Sequence, residues 1–509
     1  MSTFADVFFN IMQPYHLICV AGGVLIGILV GVMPGLSSVM GMSVTLPLTL
    51  SLDGYGGILM MLGIFCGAIY GGSITAILIN TPGTANSAAT CLDGHPMVTK
   101  LKQPGRALGI STTASLCGGL FSAFVLLWTA PLLAKVALKF SAPEYFALGV
   151  FGLSIVTSVS SKSIWKGILG AFLGLFLSTI GMDTINGSYR FTFDRIYLTG
   201  GINFVPVLIG LFALSQGLIT VEEQFGKAKE KVKGKLERVL PTKADLKAIW
   251  GTILRSSILG SVIGAIPGTG GDIASWIGYN EAKRWSKHPE KFGEGVPEGI
   301  AAPEAANNAV CGGALIPLLT LGIPGDACTA IMLGALMVQG IVPGPLLFVE
   351  QTDKVYTIII GLFLANIAMG ILGYLGIRVF SKIVNVPNKL MVPIIFVFCF
   401  VGTYALNNNI NDVFLMIIAG FVGFFLLKLD FSIPPIILGM ILGKTIENNF
   451  RRSLVMSNGN SMIFFQHPIS LALLVIAFAA VFYPFFQPAV KRKLAAARRK
   501  KKEDGEGSL

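Results

Sequence analysis

Two copies of one glycine and proline pattern, Gly27-x3-Gly31-x2-Pro34-Gly35 and Gly260-x3-Gly264-x2-Pro267-Gly268, stand 233 positions apart (260 − 27) inside strongly apolar stretches. With 61 Gly and 25 Pro in 509 residues, chance supplies this pattern only about 0.04 times in such a chain, so a pair indicates internal duplication. A second element follows each copy in the same order. Pro82 of Asn80-Thr81-Pro82-Gly83-Thr84-Ala85 lies 48 positions after Pro34 (82 − 34), and Pro324 of Gly322-Ile323-Pro324-Gly325-Asp326-Ala327 lies 57 after Pro267 (324 − 267). Proline removes a backbone donor and glycine frees the backbone, so each motif marks an interrupted helix.

The chain is 53% hydrophobic and 13% charged, with mean hydropathy +0.74. Soluble domains carry roughly 25% charged residues, so this composition describes a polytopic membrane protein. The net charge of +12 sits in blocks between apolar segments and at the C-terminus, which fits membrane topology and excludes a nucleic-acid partner as the first reading. Met1 to Asn10 lacks a basic n-region and a small-residue cleavage site, so no cleavable signal peptide is expected. The seven cysteines are scattered through apolar stretches without C-x-x-C spacing and are expected to pack as small hydrophobes. The four histidines lie too far apart for a local zinc cluster.

Spanning helices need about 20 apolar residues, and loops rich in Lys and Arg stay in the cytoplasm. The run from Lys227 to Lys247 and the tail from Lys491 to Lys502 are both strongly basic, so both are expected inside. The second glycine and proline motif is flanked by that linker and by Lys283, Arg284, Lys287 and Lys291. Both ends of its apolar segment thus lie on one side, which makes it a re-entrant hairpin with an irregular tip at membrane depth. The first motif has no Lys or Arg around it before Lys100, which places its ends in the periplasm.

The expected architecture is therefore all-α, with two inverted-topology repeats, about 11 full spans and two hairpins. The first repeat covers 1–222, with its hairpin near 17–52 and a discontinuous helix near 56–92. A basic cytoplasmic linker covers 223–247. The second repeat covers 248–490, with a hairpin near 248–281 and a discontinuous helix near 301–345, and a basic tail covers 491–509. Further spans are expected near 106–130, 145–161, 162–182, 200–221, 357–381, 391–406, 412–427, 432–448 and 467–489. The N-terminus is periplasmic in this reading and the C-terminus cytoplasmic.

Each break exposes helix C-terminal carbonyls, which suit a cation, and helix N-terminal N–H groups, which suit an anion. Four such breaks meeting near the midplane would bind a carboxylate flanked by coupling cations. Candidate substrate groups are Ser37, Ser38, Asn80, Thr81, Thr84, Asn86, Ser87, Thr269, Gly270, Gly271, Asn307 and Asn308. Candidate cation-coupling positions are Pro34, Gly35, Thr81, Pro82, Gly83, Pro267, Gly268, Asp272, Pro324, Gly325 and Asp326. Oxygen ligands suit Na+, with Gly35, Thr81, Gly268 and Asp326 as its candidate site, while Asp326 or Asp272 is a candidate proton carrier. No other cofactor is expected.

Plainer readings stand beside these. Gly-x3-Gly is by itself a helix-packing pattern, although packing does not account for a Pro-Gly break at the same place twice. Asp272 and Asp326 have a structural alternative as partner-paired acids. Asn307 and Asn308 serve equally well as interhelical amides. Glu304 is expected nearer the cytoplasmic face, with no assigned role. The loop from Asp183 to Gly200, with Arg190 and Arg195, is a candidate docking surface or simply a solvated loop.

At these residues the chain resembles the large membrane subunit of the tripartite tricarboxylate transporters, the TctA type. The resemblance rests on Gly31-Val-Met-Pro34-Gly35-Leu36, Asn80-Thr-Pro82-Gly83, Asp93-Gly94-His95-Pro96-Met97 with Gly105-Arg106-Ala107-Leu108, Gly264-Ala-Ile-Pro267-Gly268-Thr-Gly270-Gly271, Ala302-Pro303-Glu304-Ala-Ala-Asn307-Asn308-Ala309 and Leu321-Gly322-Ile-Pro324-Gly325. It implies a bacterial inner-membrane secondary transporter that works with a small four-helix membrane subunit and a periplasmic substrate-binding protein. It also implies cation-driven carboxylate uptake without ATP. A glycine often follows Pro-Gly-Leu at the family's first tip, and Ser37 stands there in this chain.

Two rival classes remain. A pore would use re-entrant loops as a filter, but four-fold filters need identical loops and this chain offers two unlike pairs. An intramembrane enzyme needs a nucleophile with a base, or a metal constellation, and no such cluster stands out. The expectation is a non-enzymatic carrier, with an elevator-type movement by analogy with other hairpin-containing carriers.

Overall fold

The computed structural model describes residues 4–33, 36–49, 51–160, 163–223, 239–383 and 388–482. Pro34 and Gly35, most of the basic linker and the tail 491–509 therefore lie outside the described residues. The chain is almost wholly helical, as expected. Among the described residues seven helices are long and apolar enough to cross a membrane, from Pro14–Val32 to Ile410–Lys428. Shorter apolar helices include Ser38–Thr49, Ile164–Ser178, Ala327–Val338 and Pro468–Phe482.

The helices used below are α1 (Pro14–Val32), α2 (Ser38–Thr49), α3 (Gly54–Ile79), α4 (Cys91–Thr99), α5 (Pro104–Ala137), α6 (Ala142–Ser160), α7 (Ile164–Ser178), α8 (Lys243–Gly264), α9 (Gly270–Trp285), α10 (Pro297–Leu321), α11 (Ala327–Val338), α12 (Thr352–Ile383) and α13 (Pro434–Met456). They belong to two compact units, each drawing on both halves of the sequence. One comprises Met1–Lys139 and Ile202–Leu429, the other Phe140–Gly201 and Asp430–Leu509.

In the first unit α3 and α10 have no separate polar face, even though α10 carries Glu304, Asn307 and Asn308, and both are buried almost throughout, as such a helix must be. Each begins and ends on a local signal. Asp53 caps α3 by accepting the N–H of Gly56 at 2.7 Å, and α3 stops where Asn80 turns left-handed at φ 52. Gly322 ends α10 in the same conformation, at φ 71.

α1 runs parallel to α3, and α8 runs parallel to α10, each pair in backbone contact. A Cβ added to Gly27 or Gly31 would lie under 3.0 Å from the carbonyl of Ile64 or Ala68, and one on Gly71 would meet the carbonyl of Ile28. In the other pair Gly260 faces the carbonyl of Ala306, Gly264 that of Val310, and Gly313 that of Ser261. The offsets are constant, 233 along the first helices (260 − 27, 264 − 31) and 242 along the second (306 − 64, 310 − 68, 313 − 71). The plain helix-packing reading of Gly-x3-Gly is thus correct for these glycines, and it is repeated residue for residue. Small apolar side chains complete the second contact, with Ile263, Ala274, Ala306, Val310 and Ala314 in one core cluster. α5 packs on α10 in the same close manner, with Gly118 against the Ala305 carbonyl and Gly312 against Ser122.

The second unit is built on α6, α7 and α13, with Gly174 against the Ile436 carbonyl and Gly439 against that of Ala171. A two-stranded antiparallel pair, Gly181–Met182 with Tyr189–Arg190, opens the loop that follows α7. Arg190 in this loop is committed to structure. Its guanidinium holds Glu447 in a two-pronged pair at 2.8 and 3.1 Å, beside the Arg451 to Asp183 bond at 2.8 Å. Arg195 is exposed.

Candidate functional site

The breaks sit where the register of the paired helices brings them. Beyond α3 the chain doubles back so that Gly83 donates its N–H to the Gly72 carbonyl at 3.1 Å. A side chain on Gly83 would collide with the carbonyl of Gly31. Gly325 stands in the same relation to the carbonyl of Gly264, at the same two offsets (264 − 31, 325 − 83). In the second half the hairpin tip closes onto this break, with Gly268 donating to the Gly325 carbonyl at 2.7 Å. Gly268 and Gly270 have φ of +85 and +65, a region that costs other residues about 1–2 kcal/mol.

α9 packs against the segment that follows the first break, and at its start the approach is close. Gly271, at the start of α9, has no side chain, and the space beside it is filled by two amides. A Cβ there would lie 2.5 Å from Asn307 Oδ1 and 2.8 Å from Asn86 Nδ2. Asn307 is fully buried, and neither atom of its amide has a hydrogen-bond partner. The Oδ1 of Asn308 is also without one, while its Nδ2 donates to the Glu304 carbonyl at 3.0 Å. The hydroxyl of Thr84, buried beside Gly72, is a further orphan. Buried polar groups are nearly always paired, and these orphan atoms are ones that water or a ligand would satisfy.

The start of α2 meets the segment after the second break through Ser38, whose hydroxyl accepts the Cys328 thiol at 3.3 Å. Ser37 caps the start of α2, accepting the Met40 N–H at 3.1 Å. Asp326 does the same for α11 in a reciprocal cap with Thr329, at 2.8 Å in each direction. Its Oδ1 thus has a structural task, the plainer of the two readings made for it. Thr269 turns its hydroxyl back to the carbonyls of Ile263 and Ile266. Ser87 donates to the carbonyls of Gly72 and Thr84 at 2.9 Å. Thr81 and Asn80 are exposed, as is Asp272, and Pro82 is half-buried, whereas Pro267 and Pro324 are buried. Among the described residues no group of three or more His, Cys, Asp or Glu forms a metal site.

Two buried carboxylates were not assigned from sequence. Asp93 is fully buried and clamps the connection before α10. Its Oδ1 accepts the N–H groups of Gly293, Gly295 and Val296 at 3.0, 2.8 and 2.9 Å, and its Oδ2 the Tyr279 hydroxyl at 2.9 Å. Glu304, expected nearer the cytoplasmic face with no assigned role, is fully buried in α10. It accepts the hydroxyls of Thr90 at 2.6 Å and Ser115 at 2.9 Å. An acid inside an apolar run was the one signal available for it. The partners 214 and 189 residues away left no local trace.

The arrangement brings the amides of Asn86 and Asn307 to the N-terminus of α9, and amide donors beside first-turn N–H groups are chemistry that suits a carboxylate. Residues 17–438 match the model of a family described as the tripartite tricarboxylate transporter TctA family. A protein of Agrobacterium vitis, described as an uncharacterized 52.8 kDa protein in the TAR-I ttuC' 3' region, is 38% identical over 482 residues, covering 95% of both chains. A second from the same organism, an uncharacterized protein in the TAR-II ttuC' 3' region, is 36% identical over 234 residues, 46% of this chain and 96% of its own length. No solved structure matches.

Proposed function

The chain belongs to the tripartite tricarboxylate transporter TctA family, and on that premise we propose that it imports a tricarboxylate or related carboxylate with a cation, Na+ or H+. It is a multi-pass membrane protein and the large membrane subunit of a transporter. In the proposed assembly a periplasmic binding protein delivers the substrate, and a small four-helix subunit completes the complex in the bacterial inner membrane. The observation that carries the reading is the buried, unpartnered amide of Asn307 between Asn86 and Gly271. A carboxylate entering there would accept from both amides and from the first N–H groups of α9. The first turn of a helix favours an anion by about 0.3–1 kcal/mol for each contact.

The matched contacts of the two helix pairs support reading them as two repeats; in the proposed architecture the repeats have opposite orientation, with about eleven spans and two hairpins in all. The hairpins and broken helices would then move as one transport unit, in an elevator-type step. Na+ would be held by carbonyls and hydroxyls at the breaks, at Gly35, Thr81, Gly268 or Asp326.

The test is uptake of labelled citrate and a panel of other carboxylates. The liposomes carry this chain, its small subunit and a matching binding protein, under separately imposed Na+ and proton gradients. Saturable uptake that needs one gradient and is lost in Asn307→Leu is expected. Gradient-independent, non-saturable flux overturns the reading.

A further inference from the structure

Two fully buried acids in this fold are solvated in opposite ways. Asp93 receives three backbone N–H groups on Oδ1, which can only donate, and the Tyr279 hydroxyl on Oδ2. The cage around Glu304 consists of hydroxyls: Thr90 and Ser115 bond its two oxygens. The hydroxyls of Ser73 and Ser111, bonded to each other at 2.9 Å, also face the carboxyl. A hydroxyl donates and accepts, so by rotating its O–H this cage satisfies either a carboxylate or a neutral acid. No Lys, Arg or His among the described residues pairs with Glu304. A carboxylate buried without a cation is costly enough that it takes up a proton instead.

Cys91 on α4 and Tyr70 on α3 are the titratable groups facing Glu304, a thiol and a phenol that are ordinarily neutral at pH 7. α5 presents Ser111, Thr112 and Ser115. On α9 Tyr279 is bonded to Asp93 of α4, and Arg255 of α8 is paired with Glu281 of α9 at 3.7 Å.

The location ties this acid to the candidate substrate amides. Thr90 follows Asn86 by four positions (90 − 86), and Asn307 follows Glu304 by three (307 − 304). The Thr90 to Glu304 bond and the approach of Asn86 and Asn307 at Gly271 therefore join the same two segments, one from each half. We propose that Glu304 is a proton-binding site, loaded while these segments are closed around it and emptied when they part. On parting, water enters, the acid O–H bond breaks, and the proton passes to water and leaves the carboxylate hydrated; closing reverses the step. One proton then accompanies each cycle, a coupling that rests on the transporter reading, whereas the proton site itself does not.

The experiment is infrared difference spectroscopy of the full-length protein in lipid bilayers, stepped across pH in Na+ and in K+ buffers. A neutral-carboxyl carbonyl band that appears as pH falls, is the same in both salts and is absent in Glu304→Gln is expected. Ser115→Ala removes one donor to the carboxylate and shifts the midpoint of that band upward. Its shift holds the assignment should Glu304→Gln fail to fold. A band present at every pH, a band unaffected by both substitutions, or one displaced by Na+ at constant pH overturns the proposal. In the liposome assay, proton-driven uptake is lost in Glu304→Gln while substrate counterflow persists; uptake indifferent to the proton gradient in the unaltered protein overturns the coupling. A titrating band in a protein that transports no carboxylate under any gradient rejects the transporter reading and leaves the proton site standing.

Discussion

Gly268 gives its backbone N–H to the carbonyl of Gly325 at 2.7 Å, so the tip of the second hairpin is fastened to the break in the helix that follows it. Gly268 holds φ +85, and Gly268→Ala therefore costs about 1–2 kcal/mol at this joint. Transport assays on Gly268→Ala are expected to show a larger loss than the accompanying fall in melting temperature explains. Uptake at the unaltered rate would separate the joint from function.

Gly27→Ala places a methyl group under 3.0 Å from the Ile64 carbonyl, whereas Gly22 has nothing within 4 Å of such a group. Overpacking of this kind costs about 1–3 kcal/mol. Thermal unfolding in detergent should therefore rank Gly27→Ala well below the unaltered protein and leave Gly22→Ala equal to it or above.

Asn307→Leu keeps the forked shape of the side chain, with two methyl groups in place of the amide atoms, and removes an amide whose atoms have no partner. Replacing an unsatisfied buried group by an apolar one is neutral or stabilising. The expected result is a melting temperature unchanged or raised together with lost uptake, a combination that a purely structural amide would not produce.

Asp93 holds three backbone N–H groups and a phenol, and each donor left buried and unpaired costs about 1–3 kcal/mol. Asp93→Ala should abolish a folded protein in a size-exclusion and yield assay. Asp93→Asn, which retains one acceptor oxygen, should fall between the two.

In the second unit the N–H of Ile185, the Arg451 guanidinium and the N–H of Asn186 hold the Asp183 carboxyl well below the usual carboxylate range. A depressed native pKa contributes stability above the unfolded value, near 3.8, and that contribution is lost as pH falls through the native value. Melting temperatures measured from about pH 6 to pH 3 should decline below about pH 4 more steeply for the unaltered protein than for Asp183→Asn.

The breaks and the paired glycines were legible because glycine and proline act on their own backbone. The helices end at Ile79 and Leu321, just before Pro82-Gly83 and Pro324-Gly325. The reciprocal cap of Asp326 and Thr329, three residues apart, is equally local, yet the acid drew attention as a coupling group because its setting is apolar. The Glu304 cage was not legible, since Thr90 and Ser115 are ordinary residues until folding brings them in from 214 and 189 positions away. The same holds for Ser38 and Cys328, 290 positions apart. Arg190 was legible as a charge in a loop but not as a paired one, because Glu447 reaches it across 257 positions.

Where Gly83 meets the carbonyl of Gly31, and Gly325 that of Gly264, main chain touches bare Cα, with Thr75 Oγ1 and Ala314 Cβ beside them. Side-chain contacts can be repaired genetically, a bulkier residue on one helix being answered by a smaller one opposite. A carbonyl cannot be made smaller. Substitutions at Gly83 and Gly325 should therefore have no second-site revertants among their neighbours, only true revertants to glycine, while the apolar positions around them remain free to trade volume.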